Sequence, residues 1–161
     1  MSPECATSEA AALAQLDPRS GTATHATARF SVSDGVVTLS IEVTDATPGQ
    51  HAVHLHLNGD CSADDASSAG PHWNPEDHAH GQLGHGAAHK GDIGNVTVGS
   101  DGRGSLVFST SEWSVGTGAP NDVLGHAVVL HAAEDDFTSQ PAGNAGGRIA
   151  CGVVQPVAAA R

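Results

Sequence analysis

The residues of this 161-residue chain best suited to chemistry are its eleven histidines, most of which fall into an ordered series of short motifs. His54 and His56 stand two apart in HAVHLH, His72 follows in SAGPHWNP, then His80, then His89 with Asp92 in HKGD, and finally His131 in VVLH. Imidazole binds transition metals as the neutral ring, and whatever its second nitrogen contacts tunes it. His54, His56 and His131 offer nitrogens from strand-like segments, a set that suits copper or zinc better than magnesium or calcium, which take oxygen ligands. His72, His80, His89 and Asp92 offer three nitrogens and one carboxylate oxygen, a tetrahedral set that zinc fits best. So many candidate ligands predict more than one metal.

Such ligands need stiff elements to hold them. VVTLSIEV places Val37, Leu39, Ile41 and Val43 on one face with Thr38, Ser40 and Glu42 on the other, the pattern of a half-buried antiparallel strand. A turn at Thr47-Pro48-Gly49 leads into HAVHLHLN, where Val53, Leu55 and Leu57 alternate with His54 and His56. The two histidines therefore share one strand face; in a helix they would stand about 200° apart and could not chelate together. From Asn58 to Asp92 no apolar periodicity is sustained, and a loop that long is uncommon unless something orders it. Metal binding would supply that order. Further strands are predicted at NVTV, GSLVFS, HAVVLH and RIACGVV, punctuated by turn signals such as SDGRG. Residues 1–20 read as an Ala-rich tail, disordered or carrying a helical turn, and residues 21–161 as one domain.

Composition agrees with an all-β domain: 20 glycines and 8 prolines, with Val, Thr and Ser prominent, favour turns and strands over helices. A formal charge of -12, from 18 acidic and 6 basic residues, counts against nucleic acid as a partner, which needs a basic footprint. Bound divalent cations would offset part of that charge locally, so an anionic substrate remains compatible with it. No apolar run approaches the length of a membrane span. The three cysteines include no CxxC pair. Cys61 and Cys151 are either one long-range disulfide, which implies an oxidising compartment, or buried thiols. Cys5 is either the remnant of a lipid-anchor site in a precursor or an incidental thiol.

Taken in order, HAVHLH, the Cys61 loop, SAGPHWNP, the His80-Gly81 pair, HKGDIGNVT, GHAVVLHAAEDDF and GNAGGRIACGV resemble the copper/zinc superoxide dismutases of bacterial type, over about residues 22 to 157. The resemblance implies an antiparallel Greek-key β-sandwich or flattened barrel, with long metal-binding and arginine-bearing loops. It implies one copper and one zinc ion per subunit. Copper would be bound by His54, His56, His72 and His131, and His72 would be shared as an imidazolate with a zinc also held by His80, His89 and Asp92. It implies a Cys61–Cys151 disulfide, Arg148 as the cation that guides the substrate, Asp135 as a carboxylate joining the two metal sites, and His51 beside the copper.

The activity it implies is conversion of two superoxide anions and two protons to dioxygen and hydrogen peroxide by copper redox cycling, with His72 donating a proton. The competing function is a copper- or zinc-binding buffer or delivery module without turnover. A missing ligand or a missing Arg148 would support that alternative, and neither is missing. A purely structural β-sandwich leaves the ordered ligands unexplained. The expected location is the periplasm or the extracellular space, with any signal peptide already removed, and the motifs are shared by monomers and homodimers. The loop AAEDDFTSQPAGNAGG before Arg148 is short and lysine-free, so steering is expected to rest on Arg148 and the metals. His25, His78, His85 and His126 are treated as background, Trp73 and Trp113 as packing, and the sequon Asn95-Val96-Thr97 as incidental.

Overall fold

The structure, a computed structural model, describes residues 11–157. Nine strands follow in order: β1 (Ala12–Pro18), β2 (His25–Ser33), β3 (Val36–Thr44), β4 (Gly49–His56), β5 (Asp92–Val98), β6 (Gly104–Thr110), β7 (Ala127–His131), β8 (Arg148–Val153) and the two-residue β9 (Gln155–Pro156). They hydrogen-bond in the order β2-β3-β6-β5-β4-β7-β8-β1, and a β1–β2 pairing closes the ring while β9 adds to β1. Every pairing of named strands is antiparallel. The result is a closed eight-stranded Greek-key barrel, in agreement with the all-β expectation. Among the described residues the one helical element is a single 3₁₀ turn at Ser67–Ala69.

Period-two alternation builds the interior. Val37, Leu39, Ile41 and Val43 of β3 all point into the core, as their spacing predicts, and meet Ala26, Ala28 and Phe30 of β2. Trp113 packs against Phe30 and Phe108 and donates its indole N–H to the Lys90 carbonyl, 2.7 Å away. Both tryptophans are buried in this core.

One expectation is corrected. Within the stretch read as a tail, Ala12–Pro18 is strand β1, with Ala12, Ala14 and Leu16 fully buried. Its register with β2 runs from Ala12 opposite Phe30 to Leu16 opposite Ala26, and it also pairs with β8 through Asp17 and Cys151. Without β1 the edges of β2 and β8 would present unpaired backbone groups, so the pairing prevails over the weak strand preference of alanine. The remainder of the tail, including Cys5, lies outside the described residues.

The functional loops cross the outside of one wall. Strands β4, β7 and β8 are buried on both faces: Val53, Leu55, Val128 and Leu130 face the barrel core, while Ala127 and Val129 pack outward with Ala66, Ala69 and Cys151. That outer layer is the segment between β4 and β5, tied down by the Cys61–Cys151 disulfide. Gly91 shows how closely the segment is laid on: a Cβ there would lie 2.2 Å from the Leu55 carbonyl oxygen. The segment between β7 and β8 covers the same wall and ends at Arg148.

Candidate metal centre

A strand buried on both faces can carry polar side chains only where they find partners, and the outer face of this wall is lined with histidine. His54 and His56 leave β4 on one face, as their spacing predicts, with a register irregularity between Val53 and His54. His131 ends β7, and His72 joins through an isolated bridge to His56. One nitrogen from each of His54, His56, His72 and His131 falls within 4.8 Å of the others, and all four residues are buried. His54 Nδ1 lies 3.0 Å from His131 Nε2, and His56 Nε2 lies 3.4 Å from the same atom.

The loop set is adjacent. Asp92, at the start of β5, directs one oxygen, Oδ1, to His80 Nδ1 (2.9 Å), His72 Nδ1 (3.1 Å) and His89 Nδ1 (3.4 Å). Its other oxygen accepts from the backbone N–H groups of Gly81 (2.9 Å) and His89 (2.8 Å), which fixes the carboxylate. His72 Nδ1 and His89 Nδ1 are 3.0 Å apart. His54, His72, His80 and Asp92 also form a compact group by distance alone, so the two groups share the rings of His54 and His72.

Surrounding contacts fix which nitrogen of each ring faces the cluster. His56 Nδ1 donates to the Gly70 carbonyl at 2.7 Å, leaving Nε2 turned inward. Asp135 accepts from His54 Nε2 through Oδ2 and from His80 Nε2 through Oδ1, both at 2.7 Å, and so bridges the two sets. His51 is wedged between the His131 carbonyl (2.8 Å from Nδ1) and the Thr47 carbonyl (2.7 Å from Nε2). Two buried ring nitrogens, His72 Nε2 and His131 Nδ1, have no hydrogen-bond partner among the described residues. An orphaned buried nitrogen on His72, which borders both sets, fits the donor role of a metal ligand.

Electrostatics separates the rings. Burial holds His54 below its ordinary value and drives His56 and His131 well below it, so all three are neutral and free to ligate at pH 7. Burial likewise lowers His72, to about 4, against the opposing pull of Asp92. For His80 burial also acts downward, but hydrogen bonds from Asp135 and Asp92 outweigh it and raise the ring to about 9. Burial opposes ionisation of Asp92 and Asp135, yet their histidine partners hold both below the usual carboxylate range.

A cavity of about 640 Å³ opens over the centre, walled by His56, His72, His131, Trp73, Pro141 and Arg148 among others. Among the described residues, Arg148 is the one arginine or lysine that lines it. The Arg148 guanidinium donates through Nη1 to the Ala66 carbonyl at 2.9 Å, which ties it to the disulfide-bearing segment. Burial lowers its pKa somewhat, with Asp65 opposing, and an arginine so perturbed stays charged. Lys90 contributes no free charge at the mouth, because it is bound to Glu112 (3.0 Å) and Glu76 (3.1 Å).

The structure thus brings together His51, His54, His56, His72, His80, His89, Asp92, His131 and Asp135, with Arg148 over the cavity. Of the background histidines, His126 stacks on Trp73 at 4.2 Å and donates to the Leu57 carbonyl, and His78 Nδ1 lies 3.2 Å from the Ala88 carbonyl. Sequence reasoning missed the carboxamides. Asn95, dismissed as part of a sequon, donates to the Asp135 carbonyl (3.1 Å) and accepts from the Asp135 N–H (2.8 Å). Gln140 grips the backbone of His80 in the same manner. Asn95 lies in the HKGDIGNVT motif, but nothing in the motif names Asp135, 40 residues away, as its partner, and Gln140 lies 60 residues from His80, so only the fold reveals both contacts. Gly143 (φ +74°) is required by close approach: a Cβ there would sit 1.9 Å from Asp135 Oδ1.

Known proteins resemble this chain in sequence and fold. The chain is 36% identical over 157 residues to the "Extracellular superoxide dismutase [Cu-Zn]" of Brugia pahangi, covering 92% of this chain and 77% of that one. It is 34% identical to the clock protein EA4, whose crystal structure superposes with a TM-score of 0.81, covering 94% of this chain and 97% of that one. The family description "Copper/zinc superoxide dismutase (SODC)" matches residues 21–154, a span that holds every clustered histidine, both disulfide cysteines and Arg148. An outer barrel wall built for buried imidazoles, with a guanidinium over its cavity, is thus explained by descent: the chain is an oxidoreductase that belongs to the copper/zinc superoxide dismutase family.

Proposed function

We propose that the chain dismutates superoxide at a copper and zinc pair, one of each ion per subunit. Copper would be held by His54 Nδ1, His56 Nε2, His72 and His131 Nε2, and zinc by His72 Nδ1, His80 Nδ1, His89 Nδ1 and Asp92 Oδ1. His72 would be shared between them as the imidazolate. The single observation that carries this reading is His72, which with His54 belongs to both clusters and whose buried Nε2, unlike either nitrogen of His54, has no hydrogen-bond partner among the described residues. His89 rather than His54 completes the zinc set, since both nitrogens of His54 are engaged elsewhere, with His131 and Asp135.

Bound copper would supply the one-electron couple that turns one superoxide into dioxygen and the next into peroxide, while bound zinc would order the loop without redox chemistry. The protein's own groups do the rest. Arg148 attracts the anion and holds it at the cavity floor without losing charge. His72 Nε2, when it is not ligating, would take up a proton from solvent and give it to the peroxide product, acting as a general acid. The Gly70 carbonyl and Asp135 keep His56 and His54 in the tautomers that ligation needs. Two superoxide anions and two protons balance one dioxygen and one hydrogen peroxide.

The disulfide and the relative named as extracellular support a location outside the cytoplasm, in a periplasm or extracellular space. Among the described residues no helix is long and apolar enough to cross a membrane. The test measures copper and zinc content and superoxide turnover on the same metal-loaded sample. Turnover with one copper and one zinc per chain is the expected result. Copper bound in full without turnover would replace this function with metal buffering or delivery.

A further inference from the structure

We infer that Gln140 is a positioning residue that locks the arginine-bearing loop to the zinc loop, so that His80 and Arg148 move as one body. This rests on the zinc assignment proposed above. Gln140 reaches across 60 residues of chain: its Oε1 accepts from the His80 N–H at 2.7 Å and its Nε2 donates to the His80 carbonyl at 3.0 Å. A third bond, from Nε2 to the Thr138 carbonyl at 3.0 Å, holds the side chain in that orientation from within its own loop. Gln140 is an exposed residue, and an exposed glutamine held in one rotamer against its conformational entropy needs such compensation.

His80 is thereby held at four points by two different segments. Asp92 takes ring Nδ1, Asp135 takes ring Nε2, and Gln140 takes both backbone groups. Two of the holders, Asp135 and Gln140, belong to the segment that ends at Arg148. That segment is stiff within itself. The Asp136 carboxylate accepts from the Thr138 and Ser139 N–H groups, the Gly143 N–H donates to the Ser139 carbonyl at 2.7 Å, and the Asp136 N–H donates to the Gly143 carbonyl at 3.0 Å. Its two ends are pinned to each other by Ala133 N–H on the Ala145 carbonyl and Ala132 N–H on the Gly147 carbonyl, both 2.8 Å. A stiff segment gripped at His80 passes any shift of His80 on to the base of Arg148. The lysine-free loop is short, and the carboxamide clamp gives it a fixed seat.

The exposure of Gln140 makes the test clean, because truncating it opens no core cavity. Three variants are compared with the parent: Gln140→Ala, Gln140→Met, which keeps length but loses both bonds, and Gln140→Glu, which keeps the acceptor for the His80 N–H and loses the donor. Zinc release to a chelator is followed on the metal-loaded protein. Amide hydrogen exchange at His80 is followed on both the loaded and the metal-free chain. Two hydrogen bonds of ordinary net strength correspond to about tenfold or more in an equilibrium, so Gln140→Ala and Gln140→Met are expected to release zinc about tenfold faster. They should also deprotect the His80 amide while leaving exchange in β3 and β7 unchanged, and Gln140→Glu should fall between them and the parent. Azide affinity of the copper-loaded protein, which reports the placement of Arg148, should weaken in the same order. Release and His80 exchange within twofold of the parent overturn the clamp, as does a uniform loss of protection across the barrel. A parent that holds no zinc sinks the metal assignment instead, and exchange on the metal-free chain still decides the clamp.

Discussion

His72 and His80 have ring centroids 5.2 Å apart, yet their surroundings drive them in opposite directions. Burial holds His72 at about 4, whereas for His80 burial yields to Asp135 and Asp92, which raise the ring to about 9. The consequence for the metal-free fold has two signs. His72 binds its proton more readily in the unfolded chain, so it opposes folding as pH falls from its ordinary 6.5 toward 4. His80 stabilises the fold fully below its ordinary 6.5, and that contribution is lost as pH rises through about 9. The unfolding midpoint of chelator-treated protein should therefore peak near neutrality and fall on both sides; a flat profile from pH 6.5 to 9 would remove the ionised His80 pairs. His131→Ala should abolish turnover while zinc is retained, since His131 is not in the compact group that holds Asp92, and turnover that survives refutes the copper assignment. Arg148→Ala should lower turnover about tenfold or more by removing local attraction. Lys90→Gln should leave turnover within about twofold, because the one lysine of the chain is already neutralised by Glu76 and Glu112. Equal loss from the two changes would show that steering does not rest on Arg148. At this scale the sequence was highly legible where a residue sits in a local motif such as HAVHLH or HKGD. It was silent for Asn95 and Gln140, whose partners lie 40 and 60 residues away.

At the scale of elements, alternation made β3 and β4 readable, because Val, Ile and Leu at period two leave no competing pattern. The metal loop was readable for the opposite reason, having no pattern but many ligands. Strand β1 was not readable, although ALAQLDP also alternates, with Ala12, Ala14 and Leu16 inward and Gln15 and Asp17 outward. Alanine carries little strand preference and fits a helical turn as well, so the segment becomes a strand only when β2 and β8 offer it two edges. Its membership in the core is measurable. Leu16→Ala should cost about 2 to 4 kcal/mol in denaturant unfolding, as for a buried leucine elsewhere. A change below about 0.5 kcal/mol, the scale of an exposed position, would return the segment to a tail. Loop cover also explains why β4 from His51 to His56 and all of β7 are buried on both faces rather than on one, with histidines as the polar residues there.

At the scale of the whole molecule, a chain of net charge -12 must admit a small anion through a mouth with one basic residue. Two bound divalent cations would leave the molecule negative, so the long-range field repels the substrate while Arg148 attracts it at short range. Ionic strength separates the two effects. At about 0.01 M salt the screening length is about 30 Å and the whole protein's charge is felt; at about 0.15 M it is about 8 Å, and only groups at the mouth act. Adding salt should therefore remove repulsion faster than attraction, and the second-order rate constant for superoxide should rise between those concentrations. In Arg148→Ala the rate should be lower at every salt concentration and should rise more steeply, because only repulsion is left to screen. A rate that falls as salt is added would mean that the field at the mouth is positive over a long range, and steering by Arg148 alone would then be wrong.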